Sequence, residues 1–262
     1  MSSRCSSSGM ETRASMGRLF NPRGVAVVGA SANPGKIGYR VVENMVKAGF
    51  TGEIYPINPK GGEILGRKVY AKLADVEGAV DVAVLAVPAE HVLGAVGDCA
   101  AKDVGHLVVV TSGFSEIGNI ALEKELVALA KKHGMRVLGP NIFGIYSATS
   151  RLDATFGPGG ILPGHVAIVT QSGALGIAMI GKTAAESLGL SALISVGNKS
   201  DIDEADLLEY LADDPETRVV LLYVEGVKNG ERLVKTLREV TQRKHVVVIK
   251  SGRSARGAMA AA

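Results

Sequence analysis

The stretch from Val25 to Gly38 constrains the fold of this chain more than any other. It reads Val-Ala-Val-Val-Gly-Ala-Ser-Ala-Asn-Pro-Gly-Lys-Ile-Gly. The four apolar residues from Val25 to Val28 are typical of a strand that is covered on both faces, and Gly29 allows a sharp turn where that strand stops. A helix is predicted directly afterwards, over about 37–48. The pattern therefore predicts the first strand–turn–helix unit of a parallel sheet.

The turn of this unit suits an anionic ligand. The first amides of a helix have no acceptors within the helix, and they lie at the positive end of its dipole. Because Gly29, Gly35 and Gly38 lack Cβ atoms, a pyrophosphate could approach the backbone closely, while Ser31 and Lys36 add a hydroxyl donor and a charge. Ala30, between Gly29 and Ser31, belongs to the same predicted binding turn. The stretch is not a complete G-x-G-x-x-G motif, and a tight turn without a ligand uses the same residue types. Nucleotide binding and a bare connector are thus both open from this segment alone.

The composition favours a parallel α/β protein. Of the 262 residues, 47% are hydrophobic but only 4% are aromatic, and 33 are glycine. Cores of Val, Ile, Leu and Ala with many tight turns are typical of parallel sheets covered by helices. A chain of this length can hold one large or two medium domains.

Charge and cysteine usage narrow the functional class. The net charge of +3 is mild and the basic residues are spread among acidic ones, which argues against nucleic acid as a partner. Cys5 and Cys99 lie far apart, so neither a disulfide framework nor a zinc site is indicated, and a cytoplasmic location is expected. No apolar run approaches the ~20 residues needed to cross a bilayer, so we expect no membrane partner. The Ser-rich segment over residues 1–15 is predicted to be a disordered tail.

The second predicted strand, Glu53–Ile57, ends in Asn58-Pro59-Lys60. In NAD-binding Rossmann domains this strand end carries an acid for the ribose hydroxyls. Lys60 instead attracts a phosphate, which indicates a ligand with a phosphorylated ribose, as in NADP and coenzyme A. The alternative is that Lys60 is a solvated loop residue.

Two further strand ends belong to the same predicted site. They carry Val87 and Pro88 after one buried run, and Thr111, Ser112 and Gly113 after the next. Because open α/β sheets bind ligands at the carboxyl edge of their strands, we expect the turns after Val28, Val87 and Val110 to meet there. Residues 142–164 show little periodicity, so we predict a first domain over 16–142 and a second over 143–262.

The second half repeats the β–α alternation, which predicts a flavodoxin-like domain. Ser172, Gly173 and Ala174 follow a buried strand and open a helix, and we interpret them as a second anion turn, with a bare connector as the alternative. Glu225 directly follows the strand predicted over 217–224. At the sheet edge it could hold an imidazole or a cation, or it could serve as a capping or salt-bridged side chain.

Other charged groups have simpler interpretations. The acids from Asp201 to Asp206 are typical of a helix N-terminus rather than a metal site. The five histidines do not converge in the sequence, and each is interpreted as a surface or boundary residue. The sequence contains no G-x-S-x-G, H-E-x-x-H or Walker lysine motif.

Nine segments in fixed order together resemble the NDP-forming acyl-CoA synthetases, whose first two domains are similar to the succinyl-CoA synthetase α subunit. These segments are Val27–Ser31, Tyr55–Lys60, Ala86–Pro88, Thr111–Phe114, Gly139–Asn141, Thr170–Ala174, Gly197–Lys199, Tyr223–Glu225 and Lys250–Ser254. The resemblance covers the chain from Phe20 onward.

The resemblance implies a Rossmann-like domain that binds coenzyme A or acyl-CoA, followed by a flavodoxin-like ligase core. In that family acyl-CoA and phosphate give acyl phosphate and free CoA. The phosphoryl group then moves to a histidine and on to ADP on an ATP-grasp domain or subunit. Ser172–Ala174 match the phosphate loop, Glu225 matches the acid that steadies the histidine, and the pantetheine is expected to run towards Pro140 and Asn141. An oligomer is also expected.

The sequence departs from the family pattern at two places. The phosphorylated histidine of the family lies in a Ser-His-Thr-Gly stretch that none of the five histidines matches, so we expect this chain to bind CoA without relaying phosphate to a nucleotide. Ile142-Phe143 replaces the usual Cys-Leu and is expected to alter packing near the thiol end. Two other functions stay open: a non-catalytic CoA-sensing module and an NADP-dependent oxidoreductase.

Overall fold

Two sheets, one in each half of the chain, form the framework of the protein. The structure, a computed structural model, describes residues 16–252. The strands of the first half are Gly24–Val28 (β1), Glu53–Ile57 (β2), Glu63–Ile64 (β3), Arg67–Lys68 (β4), Val82–Leu85 (β5), His106–Val109 (β6) and Arg136–Leu138 (β7). Five of them form a fully parallel sheet in the order β2-β1-β5-β6-β7, while β3 and β4 form a separate antiparallel hairpin.

Residues 16–20 are helical, and the three longer helices of the first half are Ile37–Ala48 (α1), Ala89–Ala101 (α2) and Ile120–Lys132 (α3), with short 3₁₀ turns at Leu73–Asp75 and Ser115–Ile117. The predicted bounds of α1 are confirmed. Val41, Val42 and Met45 form the buried stripe of α1, because residues three and four apart share one helix face. Alternate strand residues point to opposite faces, so α1 covers one face of the sheet while α2 and α3 cover the other.

The second sheet has the order β13-β12-β10-β11-β8-β9. Its strands are Gly144–Ser147 (β8), Leu152–Thr155 (β9), Pro163–Thr170 (β10), Leu190–Ser195 (β11), Val219–Val224 (β12) and His245–Lys250 (β13), and its helices are Gly173–Ala185 (α4), Glu204–Asp213 (α5) and Gly230–Val240 (α6). Strands β10 to β13 are parallel, whereas β8 and β9 form an antiparallel pair at one edge. The segment 142–164, whose sequence shows little periodicity, thus contains a hairpin that extends the second sheet.

One continuous apolar core joins the two sheets. Val27 and Val84 of the first sheet belong to the same buried cluster as Val169 and Leu222 of the second. The buried stripes of α1, α5 and α6 contribute to this cluster, so these helices pack between the sheets. The first sheet ends at Leu138 and the second begins at Gly144, and the predicted boundary between 142 and 143, which lies in this gap, stays a prediction.

The remaining sequence predictions about the fold concern the two ends of the chain, the cysteines and membrane spans. The predicted tail over 1–15, Cys5, and Arg253 and Ser254 of the last matching segment lie outside the described residues. Cys99 is a free thiol in the core under α2, and burial raises its pKa to about 12. Within residues 16–252, no helix combines the length and apolar character that a membrane span requires.

Candidate functional site

The first sheet has a topological switch point between β1 and β5. The chain moves from β1 to β2 on one side, and the later strands β5, β6 and β7 add on the other side. Ligands of open α/β sheets bind outside the carboxyl ends of the strands at such a point. The structure has a cleft of about 660 Å³ there. Ten of the predicted residues line it: Gly29, Ala30, Ser31, Lys36, Gly38, Asn58, Val87, Pro88, Thr111 and Ser112.

Helix α1 begins in close contact with the turn that follows β1. A Cβ atom at Gly38 would overlap the backbone carbonyl oxygen of Gly29, and one at Gly29 would overlap that of Ala86. Gly29 also has a φ of +91°, which favours glycine. The amides of Ile37 and Gly38, which lie in the first turn of α1, are held beside the cleft, where a bound anion can accept from them.

Two asparagines hold the backbone of this turn. The Asn33 amide donates to Ser31 Oγ at 3.1 Å, and Asn33 Oδ1 accepts from the Gly35 amide at 2.8 Å. Asn58 Nδ2 donates to the Ala30 carbonyl oxygen at 2.7 Å. The wall is therefore fixed by local hydrogen bonds, and the Ser31 hydroxyl keeps its own proton for a ligand. Sequence reasoning missed Asn33, although an Asn two residues before a Gly is the signal of an Asx turn.

Four predicted ligand-binding residues do not line the cleft. Lys60 is exposed two residues beyond Asn58, and its amide donates to Asn58 Oδ1 at 2.9 Å. The Gly113 amide donates to Glu116 Oε1, so it already has an acceptor. Pro140 and Asn141 lie beyond Thr111, whose carbonyl oxygen accepts from the Asn141 amide at 3.0 Å. These four residues therefore lie at the border of the cleft, where hydrogen bonds or short stretches of chain link them to residues that line it.

The second sheet has its own switch point, between β10 and β12. The structure brings both predicted groups of the second half to this point, since residues 171–174 follow β10 and Glu225 follows β12. Gln171 links them, because its Oε1 accepts from the amides of Glu225 at 2.9 Å and Gly226 at 3.0 Å. Sequence reasoning assigned no role to the Gln171 side chain.

The start of α4 has the geometry of an anion turn. Ser172 is the N-cap residue, and its Oγ accepts from the Leu175 amide at 3.3 Å. The amides of Gly173 and Ala174 lie in the first turn, where the helix has no acceptors for them. The Thr170 hydroxyl donates to the Ser172 carbonyl oxygen at 3.0 Å and holds the turn against the strand end. Ser172, Gly173 and Ala174 thus form a rigid group of donors at the sheet edge.

Phe143 connects the two candidate sites. It lies two residues after Asn141 and is 1% exposed. Its ring packs so closely on the first turns of α4 that a Cβ at Gly176 would overlap it. Two residues span at most ~7 Å. The backbone near the first cleft and the anion turn of the second sheet are therefore joined by a short, buried link.

The turn over residues 197–202 joins the carboxyl edges of the two sheets. The Asn198 amide donates to the Pro140 carbonyl oxygen at 3.1 Å, the Ser200 amide to that of Gly139 at 3.0 Å, and the Ile202 amide to that of Val137 at 3.0 Å. Lys199 is 3% exposed, pairs with Glu204 and also donates to the Gly226 carbonyl oxygen. Sequence reasoning quoted Gly197–Lys199 for the resemblance but gave these residues no role.

The acids near α5 bind arginines. Arg136 donates to Asp201 at 2.8 Å and to Asp206 at 3.1 Å, and Arg232 donates to Asp206 at 2.7 Å. Asp203 caps α5 by accepting from the amides of Ala205 and Asp206, which confirms the helix-terminus interpretation for this group. Over the described part of the chain, no group of three or more His, Cys, Asp or Glu side chains could hold a metal ion.

His106 begins β6, as predicted for a boundary residue. It is nevertheless 1% exposed, because β6 lies inside the sheet between β5 and β7. Burial, with the charge of Arg136 acting in the same direction, lowers the pKa of His106 to about 4. His91, His133, His165 and His245 are exposed.

Comparisons with known proteins agree with this geometry. The family described as "CoA binding domain" matches residues 23–148, and the family described as "Succinyl-CoA ligase like flavodoxin domain" matches residues 163–262. The first match contains the cleft at β1 and β5, and the second contains the anion turn and Glu225.

Two curated relatives and one solved structure are similar to this chain. The "Acetate--CoA ligase [ADP-forming] I subunit alpha" of Pyrococcus furiosus is 52% identical over 254 residues, covering 95% of this chain and 55% of the relative. The "Acetate--CoA ligase [ADP-forming]" of Methanocaldococcus jannaschii is 42% identical, covering 92% of this chain and 34% of the relative. A dinucleotide-forming acetyl-coenzyme A synthetase 1 of Ca. Korarchaeum cryptofilum, solved in complex with phosphate and ADP, matches with a TM-score of 0.91 and 50% identity, covering 94% of this chain and 53% of that one.

The chain thus spans about half of the length of the α-subunit relative, and it carries both domain types in the same order. The sequence identity extends over nearly all of its residues. These matches and the two switch-point sites show that the chain belongs to the family of NDP-forming acyl-CoA synthetases.

Proposed function

We propose that this chain is the CoA-binding and core portion of an NDP-forming acid–CoA ligase. The overall reaction is acyl-CoA, phosphate and ADP giving acid, CoA and ATP. The observation that carries the proposal is the pair of switch-point sites: a cleft of about 660 Å³ at β1 and β5, and a group of amide donors at β10 and β12. Phe143 and the turn over 197–202 join them.

Coenzyme A fits the first cleft with its pyrophosphate against the turn from Gly29 to Lys36. The absence of Cβ atoms at Gly29 and Gly38 supports this placement, because it lets α1 pack directly on the turn after β1 with its first amides beside the cleft. Lys60, exposed beyond the rim residue Asn58, supplies the cation for the 3′-phosphate. The pantetheine then runs past Thr111 and Ser112 towards Pro140 and Asn141.

Phosphate binds to the amides of Gly173 and Ala174 and to the hydroxyl of Ser172, whose own amide donates to Thr170 Oγ1 at 3.2 Å. A phosphate oxygen attacks the thioester carbonyl carbon, the carbon–sulfur bond breaks, and the CoA thiolate leaves with acyl phosphate as the second product. Donors in a rigid turn suit this step because they need no reorganisation as charge develops. The Glu225 amide donates to Gln171, and we assign its carboxylate to hold the imidazole that takes up the phosphoryl group, a histidine that none of the five in this sequence matches.

The remaining partners follow from the same proposal. Transfer of the phosphoryl group to ADP requires an ATP-grasp domain or subunit, and we propose that the active assembly is an oligomer. The α-subunit name of the P. furiosus relative supports a second component. The free Cys99 thiol is consistent with a reducing cytoplasmic location.

Calorimetry with the whole chain tests the cofactor. We expect CoA to bind more tightly than dephospho-CoA or NADP, and tighter binding of NADP or no binding of CoA would refute the proposal. Lys60→Glu should weaken CoA by about tenfold, or ~1.4 kcal/mol, and dephospho-CoA much less, because only CoA carries the 3′-phosphate. Lys235→Glu, an equal charge change at an exposed position on α6, is the control and should change neither affinity. Equal losses for both ligands would show that Lys60 does not bind the 3′-phosphate.

A further inference from the structure

The side chain of Asn198 stands between the two sheets, with acceptors from the first half of the chain around its amide. Asn198 Nδ2 lies 2.6 Å from Glu116 Oε2, 2.8 Å from Glu123 Oε2 and 3.1 Å from Ser115 Oγ. Its Oδ1 lies 3.5 Å from Asn141 Nδ2. One amide from the second half therefore joins two carboxylates and an asparagine of the first half.

Two hydrogen-bonded routes connect this side chain to the cleft wall. Through Glu116, it orients the carboxylate whose other oxygen accepts from the amides of Gly113 and Phe114, directly after the lining residue Ser112. The second route runs through Asn141, whose side chain contacts Asn198 and whose backbone amide donates to the Thr111 carbonyl oxygen. The Thr111 hydroxyl in turn donates to the Val87 carbonyl oxygen at 2.6 Å. Both routes end at the part of the wall formed by β5 and β6.

The pyrophosphate end of the cleft has separate supports. Asn33 and Asn58 hold the turn from Gly29 to Lys36 through bonds within the first sixty residues. Asn198 makes no bond to that turn among the described contacts. A change at Asn198 thus acts on one end of the cleft and leaves the other end with its own hydrogen bonds.

We propose that Asn198 is a positioning residue that aligns the pantetheine end of the CoA cleft with the anion turn at Ser172–Ala174. The inference rests on the proposed function, because it assumes the orientation of CoA given above. The residue does not touch the ligand. It holds the turns at 111–116 and 139–141 in the one arrangement that brings a thioester towards the second sheet.

Asn198→Asp tests this role, because it replaces the shared donor with a third carboxylate. The probes are acetyl-CoA and 3′-phospho-ADP, which has the phosphates but no pantetheine. Losing a hydrogen bond to charged groups should weaken acetyl-CoA by about tenfold or more, while the affinity for 3′-phospho-ADP stays within about twofold. Asn229→Asp is the matched control: it makes the same charge change at the exposed N-cap of α6, where Oδ1 accepts from the Arg232 amide at 3.0 Å and Asp is equally favourable. It should change neither affinity.

Rescue separates positioning from general destabilisation. In Asn198→Asp with Glu116→Gln, the new amide can donate to the new carboxylate while Gln Oε1 still accepts from the Gly113 and Phe114 amides. Acetyl-CoA affinity should recover in part relative to Asn198→Asp, since the bond to position 116 is restored with reversed polarity while Glu123 still faces the new carboxylate. If Asn198→Asp fails to fold, Asn198→Ser removes the amide without adding charge and should show the same difference between the two probes.

Equal losses for both probes, or no recovery in the double variant, would overturn the positioning role. An unchanged acetyl-CoA affinity in Asn198→Asp would also overturn it. Failure of the unchanged chain to bind acetyl-CoA would instead refute the proposed function, and this inference with it. The two failures are thereby distinguished by the first titration.

Discussion

Replacement of Asp153 by Asn should stabilise this protein at neutral pH. Asp153 lies on β9, 2% exposed, next to Thr155, whose carbonyl oxygen accepts from Asn44 of α1. Burial raises the pKa of Asp153 to about 6 from its ordinary value of 3.8, although bonds from the Thr155 hydroxyl at 2.7 Å and amide at 3.3 Å act in the opposite direction. The folded protein therefore holds an ionised group at neutral pH in a place that favours the neutral acid.

The magnitude follows from linkage between protonation and folding. A pKa raised by about two units on folding costs ~3 kcal/mol once both states are ionised, above pH 6. The sign is that stability from this group is fully present below pH 3.8 and is lost as the pH rises to 6. Asn removes this cost but brings an amide donor that lacks a partner, which offsets ~1 kcal/mol. We expect Asp153→Asn to raise the free energy of unfolding by ~2 kcal/mol at pH 7.5. This gain should fall by about the same amount at pH 4.5, so that little of it remains there.

Urea unfolding of both proteins at pH 4.5 and 7.5, followed by circular dichroism, measures this gain. Asp81→Asn is the contrasting variant, because hydrogen bonds from the Arg23 side chain lower the pKa of Asp81. That substitution should destabilise the protein by nearly the same amount at pH 7.5 and pH 4.5, because both values lie above the ordinary pKa of 3.8, and the loss should shrink only below that pH. A gain for Asp153→Asn that is the same at both pH values, or a loss at pH 7.5, would refute the reasoning.

Two further predictions concern close backbone contacts at the sites. Gly38→Ala should destabilise the protein by about 1–3 kcal/mol and abolish CoA binding in calorimetry, because its Cβ meets the backbone of Gly29. Gly35→Ala is the control and should still bind CoA, because its Cβ meets only the tip of the Asn33 side chain, at 3.3 Å. Gly176→Ala should also destabilise by about 1–3 kcal/mol in urea unfolding despite a helix-propensity gain of ~1 kcal/mol, and a second substitution, Phe143→Leu, should reverse the loss. Binding by Gly38→Ala, or no reversal by Phe143→Leu, would contradict these contacts.

The sequence was sufficient where local pattern determines structure. The bounds of α1 and the turns after β1, β5 and β6 are confirmed because apolar period, glycine positions and strand ends lie close together in the chain. The hairpin of β8 and β9 was missed for a physical reason. Each strand has only four residues, and β8 is stabilised by pairing with β11, about forty-five residues later. Pairing at that distance leaves little periodicity within the segment itself.

The same distinction divides the site residues. The positions of Gly29, Ser172 and Glu225 at the sheet edges could be predicted because each lies one or two residues after a buried strand, and strand ends of a parallel sheet share one edge. Their roles stay predictions. The contacts of Asn198 could not be predicted, because its partners Glu116 and Glu123 are 82 and 75 residues away, in a 3₁₀ turn and a helix of the first half. A side chain that aligns two sheets has no local signature, since its neighbours in the sequence specify only its own turn. The residues between the two sheets are therefore those for which a structure adds most to what the sequence predicts. Substitutions of such residues should alter ligand affinity although the side chains do not contact the ligand.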